Sequence, residues 1–499
     1  MPALSSHGNL IAIFPPGRWR IGDLFVALYE HVLPHASNLL DQLRFASGRE
    51  HPARNEKEPP LIQEIRQADG GIPSRLAREV VEGVTPERAL DLLLAIDEAF
   101  STFARNPDTW RRTRDNLSAP AEKTSSSLAP NHTGRVLLPR WLVAGVPPPA
   151  GRGDLRRYFN WVRLVHTDHC VRWRMLSSEE DLSKNLQRVR VGVVPVMDDA
   201  DAEFRAVTMK GRPFFHVGHK SGRTPRTRFS ILERLTRAIE RCDEDGVDVL
   251  FAPELVCTPW VWSEVARYLV RRATRGLSYL IQKPRWLLLG TALVGGFNRA
   301  RMLALPHAGR PLWEQDKINP YAMSEEERTR YDLARTLDPG GALGAADLPE
   351  VCRPGCGVLW LVDSMVLGRV AIAICEDLAQ TPAEHAAALG ANVLFVPVMD
   401  GPLRNERWAL RRARSFEYAG SCVIVANSLV LAHRAHAAPK GATDWPPPFE
   451  YAICRDYVAL TNRHPDHMER CASNVRDAET KKPWFFLSFC VERNFTSVC

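Results

Sequence analysis

The sequence predicts an α/β protein, and three observations carry that reading. Short apolar, β-branched runs recur through the second half of the chain, each bounded by Gly, Pro or a charged residue, as buried strands are. Stretches with apolar residues at helical spacing lie between them. Three of the strand-like settings carry residues capable of chemistry near their ends, namely Glu254, Lys317 and Cys375.

Taken in order, residues 1–117 read as a helical N-terminal region of unknown function. Residues 61–65 and 76–81 are short helices separated by Gly70, Gly71 and Pro73, and 86–100 is a longer one with Thr85 as N-cap and Pro86 in the first turn. Residues 118–188 read as a linker and a basic, aromatic helical segment. The linker, 118–149, is rich in Ser, Pro and Ala. The segment after it interleaves Arg156, Arg157, Arg163, Arg172 and Arg174 with Tyr158, Phe159, Trp161 and Trp173. Cations between stacking rings suit single-stranded nucleic acid. An amphipathic helix with a solvated arginine face is the simpler account, and it is the one expected.

Residues 189–430 carry the strand-and-helix alternation. A strand over 190–196 is followed by 198–227, which is longer and more basic than a simple strand–helix connection and is expected to border a substrate entrance. A helix over 228–239 spaces Ile231, Leu235 and Ile239 at helical intervals. Then come the strand ending at Pro253–Glu254, a strand over 286–291, the Lys317 segment over 313–320 and a strand over 368–374 that runs into Cys375, Glu376 and Asp377. Strand 390–397 and the stretch from Arg414 to Ser428 close the domain, and 431–499 is a divergent C-terminal region.

A cysteine at a strand-to-helix turn is lifted above the sheet edge, where backbone N–H groups can face an oxyanion. Taken alone, Cys375 reads more simply as a buried structural thiol. Its company reverses that, because Glu254 and Lys317 also stand near the ends of predicted strands, and one sheet is expected to bring all three together.

This ordered set resembles the nitrilase (carbon–nitrogen hydrolase) superfamily, whose catalytic residues are Glu, Lys and Cys in this chain order. The resemblance covers residues 189 to 428 and includes the opening strand, the first helix, the strand at Trp286–Thr291 and the Arg414–Tyr418 to Asn427–Ser428 segment. It implies an α-β-β-α four-layer sandwich, with a mostly helical N-terminal extension added here, commonly paired into homodimers or higher oligomers. It also implies roles: Glu254 as base, Cys375 as nucleophile, Lys317 as the cation that lowers the thiol pKa and holds the oxyanion, and the Glu376 backbone N–H as a second oxyanion donor. The family often carries a further glutamate after the lysine. Glu327, with Arg328 and Tyr331, best resembles that E-R-x-x-W pattern and is the candidate, although Glu325, Glu326 and Glu327 read equally as an acidic helix start after Ser324.

The reaction implied is hydrolysis of a non-peptide C–N bond through an acyl-thioester, with a small-molecule amide or nitrile as partner and no cofactor. Amide is preferred, because Cys375–Glu376–Asp377 resembles the glutaminase domains attached to NAD synthetases, whereas the true nitrilases usually carry Trp–Glu after the nucleophile. The competing reading is a regulatory or defence-associated binding module that keeps the sandwich with little or no turnover.

Composition agrees with a two-unit protein of 499 residues, with 45% hydrophobic and 25% charged residues. A formal net charge of +7 permits acidic partners without requiring them. No apolar run reaches membrane-spanning length and no signal-peptide pattern is present, which speaks against a membrane partner and against the family's membrane-bound N-acyltransferases. The eleven cysteines lack regular close spacing, so reduced thiols in a cytoplasmic location are expected. Cys454, His464, His467 and Cys471 fit no standard zinc spacing, and Asp198–Asp199 reads as an acidic loop, so no metal is expected.

Overall fold

The computed structural model describes residues 21–39, 60–68, 71–100, 135–139, 155, 159, 162–167, 169–177, 179–182, 188–197, 201–220, 226–275, 283–305, 310–338, 340–341, 345–355, 357–401, 408–417, 421–428, 430–431, 434, 452–455, 471–476 and 483–492. The chain divides into two compact units, residues 1–170 with 388–390, and residues 171–387 with 391–499.

The first unit is built around helices α1 (Ile21–Val32), α2 (Pro60–Gln67), α3 (Ser74–Glu82) and α4 (Pro86–Ala99). Their apolar faces meet in one core that contains Leu24, Phe25, Leu28, Leu76, Leu93 and Ile96. Thr85 caps α4, its hydroxyl accepting from the Arg88 N–H at 3.3 Å. Strands β1 (Arg135–Pro139) and β2 (Val162–His166) form an antiparallel pair, and the Val162 N–H donates to the buried Asp97 carboxylate at 2.9 Å.

The basic, aromatic segment therefore does not form the helix that its arginine spacing suggests. It forms β2 and, in the second unit, β3 (Cys170–Met175). Val162, Leu164 and Val165 are buried, and a β-branched apolar run of this kind prefers an extended backbone to an amphipathic turn. Arg172 lies over the Trp360 ring, Trp173 donates to the Asp363 carboxylate at 2.7 Å, and Arg174 bonds the Leu312 carbonyl and Glu180. Arg156 and Arg157 lie outside the described residues.

The second unit continues with β4 (Arg188–Val193), β5 (Ala202–Met209), β6 (Arg212–His219), α5 (Arg226–Asp245), β7 (Val249–Phe251), α6 (Pro259–Arg275), β8 (Trp286–Val294), β9 (Phe297–Ala304) and β10 (Pro311–Asp316). There follow β11 (Ala322–Met323), α7 (Glu325–Arg330), β12 (Leu348–Pro349), β13 (Val358–Ser364), β14 (Gly368–Ile372), α8 (Glu376–Ala379), β15 (Val393–Val398), α9 (Trp408–Glu417), β16 (Cys422–Asn427), β17 (Ala452–Arg455), β18 (Cys471–Arg476) and β19 (Pro483–Glu492).

Two sheets result, ordered β10-β9-β8-β7-β4-β19-β18 and β17-β16-β15-β14-β13-β3. Each has a parallel centre, β4-β7-β8 in one and β14-β15-β16 in the other, with antiparallel strands outside it. The sheets pack face to face, with Phe251 and Phe395 meeting edge-on at 5.4 Å between ring centroids. Ile231, Leu235 and Ile239 of α5 and Val261, Val265 and Leu269 of α6 bury against Leu250, Leu287 and Leu289 of the first sheet. With α9 against β16 on the other side, the layers of this unit run α-β-β-α, the four-layer order expected from the sequence.

Two parts of this unit differ from the sequence reading. Within 198–227, β5 and β6 make a hairpin that turns at Lys210 and Gly211, both at positive φ. The divergent C-terminal region supplies strands to both sheets: β17 lies on β16, and β19 inserts between β4 and β18.

Candidate active site

The site forms where chain segments leave the carboxyl ends of the parallel strands. Glu254 follows β7 in a tight turn whose next residue, Leu255, has φ 55°. That turn rests on a bulge in β8: the Leu255 N–H donates to the Thr291 hydroxyl at 2.8 Å, and the Thr291 N–H to the Pro253 carbonyl at 3.2 Å. Gly290, at φ +71°, is required there, because a Cβ would lie 2.0 Å from the Pro253 oxygen.

Lys317 follows β10 and is held by its own backbone. Its N–H donates to the Asn298 carbonyl at 2.8 Å, and its carbonyl accepts from the Gly355 N–H at 2.8 Å. Cys375 stands between β14 and α8 at φ 49° and ψ −106°, an uncommon conformation for a side-chain-bearing residue, with its N–H bonded to the Pro397 carbonyl at 3.0 Å. Glu376 opens α8, so its N–H has no carbonyl within the helix to bond. Its side chain turns away and accepts from Gln380 at 2.7 Å.

Two of the three candidate side chains meet in a direct ion pair, and the third lies within electrostatic reach of it. The Lys317 ammonium donates to Glu254 Oε1 at 2.8 Å, and both groups act on the Cys375 thiol. All three are buried, Glu254 at 2%, Lys317 at 1% and Cys375 at 6% exposure.

Two further residues that sequence reasoning did not single out complete the cluster. Glu350 accepts from the Lys317 ammonium at 2.6 Å and from the Tyr321 N–H at 3.3 Å. Asn298, fully buried, donates from Nδ2 to Glu254 Oε1 at 2.8 Å and to Glu350 Oε1 at 3.0 Å. The one sequence signal for Glu350 is its place behind Pro349, which repeats the Pro253–Glu254 pairing.

Glu327 lies elsewhere. Its carboxylate accepts from the Ser324 N–H and hydroxyl, each at 3.0 Å, in a capping box at the start of α7. The glutamate in contact with Lys317 is thus Glu350, and Glu327 does the work of an acidic helix start.

Burial pushes the Glu254 carboxyl up, with Lys317 opposing and Glu350 adding to the rise. Burial works against the Lys317 ammonium, but Glu254 and Glu350 outweigh it and hold its pKa well above the ordinary lysine range. Burial also pushes the Cys375 thiol well above its ordinary range, Glu254 adds to this, and Lys317 only partly offsets it. Burial and the neighbouring carboxylates thus favour the neutral form of the Cys375 thiol.

Asp377 ties the site's two halves. Its buried carboxylate accepts from the Ile318 N–H at 3.0 and 3.2 Å, and from the Asn319 backbone and side-chain amides at 2.8 and 3.1 Å. Burial pushes this carboxyl up to about 7 against those hydrogen bonds. Asp400 raises the thiol pKa further and is positioned by Asn427, which accepts from the Asp400 N–H at 2.8 Å.

Among the described residues no group of three or more His, Cys, Asp or Glu side chains is arranged to hold a metal ion. His464 and His467 lie outside them. No helix among the described residues is long and apolar enough to cross a membrane.

No family model matches this sequence, and no curated protein sequence matches it. Solved structures do. The C. elegans NitFhit protein is 16% identical, with 54% of this chain and 56% of that one covered and a TM-score of 0.33. Saccharomyces cerevisiae Nit3, a member of branch 10 of the nitrilase superfamily, is 13% identical over 62% of this chain and 93% of its own, also at 0.33. An amidase from Nesterenkonia sp. is 14% identical over 64% and 94%, at 0.32. The chain therefore spans a little over half the length of NitFhit.

Proposed function

We propose that this chain is a cysteine hydrolase of nitrilase type that cleaves a non-peptide C–N bond, with an amide as its substrate. The observation that carries the reading is the buried Glu254–Lys317 ion pair, 2.8 Å long, within electrostatic reach of the buried Cys375 thiol.

In this mechanism the Cys375 sulfur attacks the amide carbon as its proton passes to Glu254, which suits a thiol that rests protonated. The carbonyl oxygen becomes an oxyanion, stabilised by Lys317 and by the Glu376 N–H. The C–N bond then breaks, the leaving nitrogen takes the proton from Glu254, and an acyl-thioester remains on Cys375. Water gives a proton to Glu254 and its oxygen attacks the thioester. Collapse of that second intermediate returns the proton to sulfur and releases the acid. Glu350 holds the far side of the ammonium, so that Lys317 keeps its charge and place throughout.

Intact-mass analysis with an electrophilic amide or haloacetamide probe tests this. Wild type should gain one adduct that Cys375→Ala does not, and should turn over members of a primary amide panel faster than the matching nitriles. Equal labelling of both proteins with no turnover would sink the reading in favour of a sandwich kept for binding.

A further inference from the structure

A cavity of about 310 Å³ lies between the β5–β6 hairpin and the turn after Glu254, a size at the lower end of those that hold small ligands. Both of its walls are anchored next to the site's glutamates. Leu255, which lines it, directly follows Glu254. His216, which lines it from the hairpin, directly follows Phe215, and Phe215 pairs in parallel with Glu350 while its carbonyl accepts from the Val351 N–H at 2.7 Å. The Phe215 ring also meets Tyr321 edge-on at 6.3 Å. The hairpin leaves β4 at the carboxyl edge where β7 also ends, which is where sheets of this type place their ligands.

The lining specifies a ligand chemistry. Glu203 and Arg205 pair with each other at 2.6 Å and so present no net charge. His216 sits opposite Arg205 in the hairpin register, and burial, with Arg205 adding, holds its pKa below the ordinary histidine range. A neutral imidazole both donates and accepts; the same lining adds the His219 imidazole and the Thr258 hydroxyl, which accepts from the Val261 N–H at 3.2 Å and has its own proton to donate. Val217 and Leu255 supply apolar wall.

Building on the hydrolase reading, we propose that this cavity receives the end of the substrate remote from the scissile amide, and that it selects a neutral, hydrogen-bonding distal group over a charged one. The hairpin is then a specificity element carried by an insertion between the first strand and first helix of the sandwich.

The test compares wild type, His216→Ala, His216→Gln and Thr258→Val on propanamide and on three five-carbon primary amides ending in a carboxamide, a carboxylate or an ammonium. In wild type, kcat/KM for the carboxamide-ended amide should exceed that for either charged one by about tenfold or more, mainly through KM. His216→Ala should shrink that ratio to about threefold or less, and His216→Gln should restore part of it. A wild-type preference for a charged amide, or unchanged ratios in the variants, overturns the proposal. Thr258→Val carries the same comparison if His216→Ala does not fold. Calorimetric titration of the same amides into Cys375→Ala, with and without His216→Ala, separates the two readings. If wild type turns over no amide, yet the neutral-ended one binds in a His216-dependent way, hydrolysis falls and the pocket stands. Binding that ignores the distal group or His216 overturns the pocket alone.

Discussion

Asp377, two residues beyond Cys375, accepts hydrogen bonds from the backbone of Ile318, one residue beyond Lys317, at 3.0 and 3.2 Å. The nucleophile turn and the lysine loop come from different sheets, and this carboxylate fastens one to the other.

Burial holds Asp377 near 7 in the native protein, above its usual carboxylate value. A raised native pKa means that the folded state binds the extra proton between the two values, so stability falls as pH rises through roughly pH 4 to 7, by at most about 1.4 kcal/mol per pH unit from this group. Asp377→Asn should flatten that part of the denaturation-midpoint profile. A profile with unchanged slope would show that Asp377 is not the titrating group. The same variant should lower kcat by about tenfold or more through misplacement of Lys317, measured on whichever amide wild type turns over.

Glu254 must be ionised to take the thiol proton, and its pKa is raised mainly by burial. The acid limb of kcat/KM should therefore lie above the ordinary glutamate range, with the rate falling as pH drops through it. Glu254→Gln should remove that limb and lower the rate by about 10² to 10⁴. An acid limb that persists in Glu254→Gln would assign the titration elsewhere.

Glu350 and Glu327 separate cleanly by mutation. Glu350→Gln removes one of the two carboxylates on the Lys317 ammonium and should cut kcat/KM by about tenfold or more, whereas Glu327→Gln should cost about 1 kcal/mol of stability through its helix cap. Steady-state rates and chemical denaturation of the two variants read this directly. Equal kinetic losses would mean that both glutamates serve the reaction.

At Gly290 the backbone has φ +71° and no room for a Cβ against Pro253. Gly290→Ala should destabilise the protein by about 3 kcal/mol or displace the Glu254 turn. A variant with wild-type stability and turnover would remove the β8 bulge from the account of how Glu254 is placed.

The Arg369–Asp363 pair is fully buried, at 2.8 Å, in the sheet that carries Cys375. Asp363→Ala removes the carboxylate paired with the buried Arg369 guanidinium and should cost about 3 to 5 kcal/mol by denaturant unfolding. A loss below about 1 kcal/mol would show that the arginine finds another partner.

Glu254 and Cys375 are legible as candidates because each stands beyond a short apolar run, and Lys317 because it follows a strand-like segment, Pro311–Asp316, in the same chain order. Glu350 was not legible, because β12 before it is two residues long and its surroundings are rich in Gly and Ala. Asn298 was hidden inside β9, where a lone amide has no sequence signature. The hairpin was read as a basic loop. Its alternation of Phe204 and Ala206 against Phe215 and Val217 was masked by the charges on its other face, and Lys210–Gly211 is a turn whose meaning depends on the strands around it. Residues 162–166 form a strand rather than a helix because the β-branched pattern at Val162 to Val165 outweighs the arginine spacing.

The pairing of β19 with β4 fixes the order in which this molecule can come into being. Chain synthesis delivers β4, β7 and the acid turn long before β19 emerges, so until then β4 has an unpaired flank on the side away from β7. A nascent or prematurely ended polypeptide would hold all three reactive side chains and still lack a finished sheet beneath Glu254. Only after residues 483–492 have been translated can β19 take its place on the free flank of β4.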